Sequence, residues 1–241
     1  MPRRTKHYGN CPYCGEYDKL TKDHVIPECL FPETEPLPGD IPKIYACGDC
    51  NNKKKSGNDE YLRDLLSTDM HTSRSPIVQQ IMPKFHRAVK RNQSILARDI
   101  LHNSQLVELR TPAGLYGGQA YTIPTANDKT LEIMTMYVRG LYAFYLHKIL
   151  PLDIESHFTR AGVSAEINDM MQYLNRNGGI YARISDGNVF ECLFGHAHDV
   201  PEAGIWILNF MRRAVFVVIV TPKNLSQQPI EHSTFDNQPV I

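Results

Sequence analysis

Apolar residues recur with two different spacings in the second half of the chain, and each spacing predicts a different kind of element. Four segments after residue 179 are short and rich in β-branched and aromatic residues: "IYARI", "NVFECLFGHAHD", "GIWILNFM" and "AVFVVIVTP". Such segments, separated by turn residues, are typical of an antiparallel sheet. Two stretches before them, "TLEIMTMYVRGLYAFYLHKIL" and "SAEINDMMQYLNRNGG", have helical spacing. The pattern predicts an α+β fold, in which the sheet packs on the preceding helices.

A further helix is predicted from "SPIVQQIMPKFHRAVKRNQSILARDIL", with Ser75 as the N-cap and Pro76 in the first turn. Its apolar face runs from Ile81 to Leu96. The opposite face is basic, with little acid to offset it, and we expect it to contact nucleic-acid phosphates. An ordinary solvated face is the alternative interpretation. The predicted phosphate-binding residues of this face are Lys84, Arg87, Lys90 and Arg91.

The first 70 residues have a different pattern, which predicts a separate unit. "FPETEPLPGDIP" is a proline-rich loop, and helical spacing returns only after Cys50, with Leu62, Leu65 and Leu66 on one face. An interruption is predicted at Ser56-Gly57-Asn58, where Asn58 would cap a second helix. We therefore expect an N-terminal module at residues 1–70, followed by a helical and antiparallel-sheet domain at residues 71–241.

Composition and charge indicate where the protein is located more than what it does. The 241 residues carry a formal net charge of zero, so no global basic field indicates nucleic acid, although local patches can still bind it. No uncharged apolar stretch is long enough to span a membrane. The start, "MPRRTKHYGNCPYC", lacks the apolar core of a signal peptide. These features predict a cytoplasmic protein with no membrane partner.

Four of the six cysteines form two C-x-x-C pairs, Cys11 with Cys14 and Cys47 with Cys50. In a reducing compartment such pairs are more typical of metal ligands than of disulfides. Each tight turn can supply two corners of a zinc tetrahedron. We therefore predict a structural zinc that ties the ends of the proline-rich loop together; a redox pair is the alternative. The isolated cysteines, Cys29 and Cys192, are expected to be small core residues.

Asp23 and His24 stand side by side in "LTKDHVIPECLF", which is an unusual pair for a core strand. Successive side chains of a regular strand point to opposite faces, so the two can share a site only where the strand ends or bulges. Pro27 makes an end plausible. Asn51 follows the second cysteine pair, and zinc binding would bring it close to Asp23 and His24. A surface pair and a helix cap are the alternative interpretations.

The combination of "CPYCG", "DHVIP" and "CGDCN" with Lys54 resembles an HNH endonuclease of the four-cysteine, zinc-ribbon type, over roughly residues 11–66. The resemblance implies a ββα-metal fold around one catalytic divalent ion. It implies that Asp23 and Asn51 are metal ligands, that His24 is the general base, and that Lys54 lies near the phosphates. The middle asparagine of the family has no clear match; Pro42 or Asp40 stands near its place.

These residue types also suit phosphodiester hydrolysis on chemical grounds. A carboxylate and an amide oxygen suit Mg²⁺ or Mn²⁺, and a neutral histidine can deprotonate the attacking water. We therefore predict a metal-dependent DNA endonuclease, in which Lys53 and Lys55 of "NNKKKSG" also contact phosphates; a solvated basic loop is the alternative. Other residues could supply a metal ligand instead: Asn58, Asp59, His71, His196 and His198.

Two other functional classes remain open from the sequence. One is a non-catalytic zinc-ribbon module that binds nucleic acid or protein. The other is a nuclease effector regulated by, or assembled with, a partner through its C-terminal domain, either a second copy of the chain or a regulatory protein. The resemblance implies restriction, phage-encoded or defence nucleases as settings and does not choose among them.

Overall fold

The structure, a computed structural model, describes most of the chain. The described residues are 7–69, 72–91, 104–111, 113–122, 127–161, 165–184 and 188–226. The predicted helical position Leu96 and the alternative ligand His71 lie outside the described residues.

Three antiparallel strands form the first sheet, in the order β1-β2-β3. Their bounds are His7–Asn10 for β1, Tyr17–His24 for β2 and Lys43–Cys47 for β3. The turn between β1 and β2 carries the first cysteine pair, and β3 ends at the first cysteine of the second pair. A long loop joins β2 to β3, as the prolines predicted, and it contains one 3₁₀ turn, Glu28–Leu30.

A π-helical turn, Asp49–Lys55, follows β3 and continues directly into α1, Ser56–Thr68. The predicted interruption at residues 56–58 is therefore wrong. Asn58 lies inside the helix and is buried, and its amide nitrogen donates to Glu132 Oε1 at 3.3 Å. The Asn58 side chain is therefore used in packing against the helix that contains Glu132, and it does not cap the start of a new helix.

The middle of the chain contains two helices separated by a hairpin. Helix α2 spans Pro76–Lys90 and begins as predicted, with Ser75 at the N-cap position. Strands β4, Gln105–Arg110, and β5, Tyr116–Thr122, form a two-stranded hairpin that the sequence analysis did not predict. Most of the β4 side chains are exposed, so neither face of the strand needs to be apolar. The sequence "QLVELR" therefore does not show the strict alternation of apolar and polar residues that identifies a half-buried strand. Helix α3 spans Asn127–Leu146.

The C-terminal part contains a five-stranded antiparallel sheet in the order β6-β10-β9-β8-β7. Strand β6, which precedes helix α4, was not predicted, whereas the four later strands were. The bounds are Ile154–Ala161 for β6, Ala165–Arg176 for α4, Ile180–Ile184 for β7, Phe190–His196 for β8, Gly204–Phe210 for β9, Ala214–Pro222 for β10 and Lys223–Ser226 for the short α5. The mixed α and β composition with antiparallel sheets is confirmed.

Alternate residues of this sheet pack against two different layers. On β9, Trp206 and Leu208 belong to the buried cluster that includes α3, whereas Ile207 packs with Ile167 and Leu174 of α4. The larger cluster also contains residues of the first sheet and of α1. The two predicted units therefore share a continuous core, and the boundary near residue 70 stays a prediction. None of the helices in the described ranges is long and apolar enough to cross a membrane.

Candidate functional site

The four paired cysteines form a single cluster, with their sulfur atoms all within 4.8 Å of one another. Three of them are buried, and all are free thiols. Within the described ranges, this is the one group of three or more His, Cys, Asp or Glu side chains with ligand atoms so close together. Four sulfur ligands at the corners of a small buried volume could hold a zinc ion. The predicted meeting of these four cysteines is confirmed.

Backbone N–H groups surround the sulfur atoms of this cysteine cluster. The N–H of Cys47 lies 3.4 Å from Cys11 Sγ, and the N–H of Cys50 lies 3.4 Å from Cys47 Sγ. At Cys11 burial opposes ionisation, but the surrounding hydrogen bonds outweigh it and the pKa is lowered. Burial raises the pKa of Cys50. Four thiolates at this spacing would need a cation to compensate their charge.

Strand β2 ends at His24, and this end resolves the difficulty of two adjacent site residues. Asp23, His24 and Asn51 all line one cleft of about 430 Å³, together with Glu28, Lys55 and Asp59; we call it the Asp23 cleft. Beyond the strand end, the N–H of Val25 donates to the carbonyl of Pro42 at 2.8 Å. This bond joins the two ends of the long loop. Pro42, which accepts it, stands near the place where the HNH family has its middle asparagine.

Asp23 lies on the floor of the cleft and is only 6 % exposed. Its Oδ2 accepts a hydrogen bond of 2.6 Å from the hydroxyl of Tyr13, and its Oδ1 lies 3.7 Å from Lys55 Nζ. Burial raises the pKa of Asp23, while the charge of Lys55 and the Tyr13 hydroxyl act in the opposite direction. Tyr13 lies between Cys11 and Cys14, so the cysteine turn also positions this carboxylate.

Asn51 is fixed against β2 through its amide nitrogen. That nitrogen donates to the Thr21 hydroxyl and to the Lys22 carbonyl, both at 3.1 Å. The Lys22 carbonyl can only accept a hydrogen bond, so the group of Asn51 that faces it must be the NH₂ and not the amide oxygen. The amide oxygen is therefore left for a ligand in the cleft.

Lys55 is buried beside two carboxylates. Its side chain is 2 % exposed, and its ammonium pairs with Asp59 Oδ2 at 2.7 Å and lies near Asp23. Its neighbours in the structure are carboxylates, although it also lines the Asp23 cleft, and its predicted phosphate contact stays a prediction. Asp59 also accepts a 2.9 Å hydrogen bond from Tyr137, and burial raises the pKa of Asp59 to about 6.

Glu28 is a further residue of the site, and no sequence pattern indicated it. His24 Nδ1 lies 2.7 Å from Glu28 Oε1, and both side chains line the Asp23 cleft. The pKa of His24 is lowered, chiefly by burial, although the Glu28 carboxylate opposes this shift. The spacing of four residues was visible in the sequence, but only the turn after Pro27 brings the two side chains together.

The other predicted phosphate contacts are dispersed. Lys54 lies beside Cys14, Cys50 and Arg139 rather than in the lining of the Asp23 cleft. Lys53 is exposed and pairs with Asp49.

On α2, two of the four predicted phosphate contacts are engaged within the protein. Lys84 Nζ donates to the Phe31 carbonyl at 2.8 Å, and Arg87 pairs with Glu33. Lys90 and Arg91 are exposed at the end of the helix.

The remaining candidate ligands have other surroundings. His196 packs edge-on against the Tyr142 and Trp206 rings, whereas the side chain of His198 is 98 % exposed and pairs with Asp199. Cys192 is buried in the core, as predicted, while Cys29 is only partly buried and lines the Asp23 cleft.

Compared with protein-family models, with curated proteins and with solved structures, the chain shows no significant match to any of them.

Proposed function

We propose that the protein is a metal-dependent endonuclease of the HNH type, which hydrolyses phosphodiester bonds in DNA. The observation that carries the proposal is that one cleft is lined by Asp23, His24 and Asn51. The two cysteine turns flank this cleft, because Tyr13 bonds Asp23 and Asn51 directly follows Cys50.

The oxygen atoms of Asp23 and Asn51 suit a hard divalent cation. Mg²⁺ and Mn²⁺ prefer carboxylate and carbonyl oxygens and retain several waters, so two protein ligands leave room for a phosphate. When bound there, the cation would neutralise charge on the phosphate and on the leaving oxygen. The protein itself holds the two oxygens in place through the Tyr13 hydroxyl and the bonds of the Asn51 amide nitrogen.

His24 is suited to act as the general base. Its lowered pKa favours the neutral ring at physiological pH. Glu28 accepts a hydrogen bond from Nδ1–H of that ring, which directs the lone pair to Nε2. Nε2 can then take a proton from a water molecule as the water oxygen attacks the phosphorus in line with the 3′ oxygen, and Glu28 stabilises the imidazolium that forms. The bond between phosphorus and the 3′ oxygen breaks, the leaving 3′ oxygen takes up a proton from solvent, and the imidazolium later returns its proton to solvent.

A plasmid cleavage assay tests the proposal. Supercoiled DNA and a single-stranded DNA circle are each incubated with Mg²⁺ or Mn²⁺ and with wild type, His24→Ala or the matched control His198→Ala. Loss of the general base should slow cleavage by about a hundredfold to ten-thousandfold, while the control should cleave like wild type. Equal cleavage by His24→Ala and wild type would reject the mechanism.

A non-catalytic zinc-ribbon module is the second candidate function, and one observation favours it. The Lys55 ammonium already lies 3.7 Å from the Asp23 carboxylate, where it partly compensates the charge that a metal ion would compensate. If wild type binds DNA but cleaves none with either divalent cation, this second function replaces the first.

A further inference from the structure

A second cleft, of about 440 Å³, lies between β3 and the segment that follows α3. Its lining includes Lys43, Tyr45, Phe144, His147, Lys148 and Ile149, and we call it the Lys43 cleft.

The Lys43 cleft borders the Asp23 cleft through one pair of residues. Lys43 is the cross-strand partner of His24 at the end of the β2–β3 ladder. Directly opposite residues in an antiparallel pair lie on the same face of the sheet, with Cβ atoms about 5 Å apart. A polymer bound beside His24 would therefore continue into the Lys43 cleft.

The charge of this cleft suits a polyanion. Its lining contains Lys43, Lys148 and His147 and no acidic side chain. Neither lysine forms an ion pair within the described part of the chain, in contrast to Lys84 and Arg87 of α2, which are held by the loop after β2. Two cations without an ion-pair partner in one cleft are suited to bind phosphates.

The apolar surface of the cleft suits unpaired bases rather than a closed duplex. Tyr45 is 42 % exposed, and its ring lies 4.3 Å from that of His7. Phe144 and the half-exposed Ile149 add further apolar surface. Bases stack on such side chains only where they are not paired within a duplex, whereas phosphates alone require no aromatic surface.

Arg139 braces the segment that carries Lys148. Arg139 donates to the carbonyls of Leu150 and Pro151 at 2.8 and 2.9 Å. His147 has a φ of 53°, a left-handed conformation that turns the chain directly after α3. The segment therefore presents its cations from a braced turn rather than from a free loop.

We propose that the Lys43 cleft binds a single-stranded segment of nucleic acid beside the bond that is cleaved. This placement rests on the proposed function, since it takes His24 as the catalytic base. The substrate class that follows is nucleic acid with unpaired bases on one side of the scissile phosphate, such as a single strand or a single-stranded overhang.

Binding is measured by fluorescence anisotropy without added Mg²⁺ or Mn²⁺, so that no cleavage is required. The probes are a labelled oligothymidylate of about 15 nucleotides, within the range of single-strand site sizes, and a blunt duplex of equal length. The variants are Lys43→Gln/Lys148→Gln and Tyr45→Ala. The matched control is Lys129→Gln/Arg176→Gln, which removes the same charge from helices α3 and α4, outside both clefts.

The lysine variant should reduce the slope of log K against log salt for the single strand by about 1.4, from two lost phosphate contacts. Tyr45→Ala should weaken single-strand binding roughly 5- to 150-fold through lost stacking and leave the salt slope unchanged. The control should bind like wild type. A wild-type slope in the lysine variant would overturn the proposal, as would equal effects of Tyr45→Ala on the single strand and on the duplex. If binding follows these expectations but the separate cleavage assay with Mg²⁺ or Mn²⁺ shows no cleavage, the endonuclease is overturned and the cleft assignment stays intact.

Discussion

Glu28 Oε1 lies 2.7 Å from His24 Nδ1, so that a carboxylate four residues along the chain holds one nitrogen of the ring. The other nitrogen, Nε2, is left for chemistry in the Asp23 cleft. Glu28 does not itself need to reach a substrate, and we regard it as a positioning residue for His24. Its contribution can be separated from a purely structural one by the pH dependence of cleavage.

Glu28→Gln should shift the acidic limb of the pH–rate profile to lower pH. The Glu28 charge raises the pKa of His24 against the larger, opposite effect of burial, so its removal should lower that pKa further. The base would then stay deprotonated at more acidic pH. Glu28→Ala, which also removes the hydrogen bond, should lower kcat by about 10- to 100-fold, the effect typical of outer partners of functional histidines. Glu33→Gln, a change in the same loop, should leave the profile unmoved; an unmoved profile in Glu28→Gln would refute the role.

Purified protein should contain about one zinc ion per chain, bound by the cysteine cluster. Cys47→Ala should lose the ion and unfold the N-terminal sheet, because zinc-binding free energy is folding free energy in such sites. Metal analysis and circular dichroism report the two effects. Cys192→Ala, which removes a buried thiol outside the cluster, should keep its zinc, as should Asp23→Ala and His24→Ala. Full zinc content in Cys47→Ala would contradict the assignment.

Lys55→Met should destabilise the protein more at pH 8 than at pH 5. The pKa of Asp59 is raised to about 6 and that of Asp23 is also raised, so the folded state binds more protons than the unfolded chain. Their contribution to stability is therefore lost as the pH rises from about 4, the unfolded value, through the folded pKa values. Without the Lys55 cation these pKa values should rise further, and the loss should extend to higher pH.

Urea unfolding at the two pH values measures this difference. Loss of one partner of a buried ion pair typically costs about 3–5 kcal/mol, and we expect that range at pH 8. Lys53→Met removes an exposed lysine two residues away and should change stability little at either pH. An equal loss at both pH values in Lys55→Met would show that the two carboxylates do not depend on this ammonium.

Gly140→Ala should destabilise the protein although it lies within a helix. A Cβ atom at Gly140 would lie 2.7 Å from Val25 Cγ1 and 3.1 Å from the Tyr13 hydroxyl, which itself bonds Asp23. Overpacking of this kind costs about 1–3 kcal/mol, which outweighs the gain of roughly 1 kcal/mol from the better helix former. The free energy of unfolding of Gly57→Ala provides the control, because a Cβ there meets nothing within 4 Å and should stabilise α1. A stabilised Gly140→Ala would show that α3 can move away from the cysteine turn.

Local chemistry made part of this protein predictable from its sequence. The spacing within each cysteine pair requires a tight turn, so the meeting of two pairs followed from the sulfur chemistry of zinc. The prolines between β2 and β3 excluded regular structure, and the buried strands β8, β9 and β10 carried enough β-branched and aromatic residues to be recognised. Strands β4 and β6 lack that signal, because many of their described side chains are exposed.

Only the tertiary structure decided which side chain faces which. Lys53, Lys54 and Lys55 are adjacent and chemically identical in the sequence, yet the helical turn places one in solvent, one beside the cysteine cluster and one between two carboxylates. The pairing of His24 with Glu28 depends on the turn after Pro27. The apposition of Lys43 and Lys148 depends on packing between β3 and the end of α3, about a hundred residues apart in the chain. The apposition of Lys43 and Lys148 is long-range, so the spacing of residues along the sequence carries no information about it. The spacing of His24 and Glu28 is local, but it does not by itself specify the turn that brings them together.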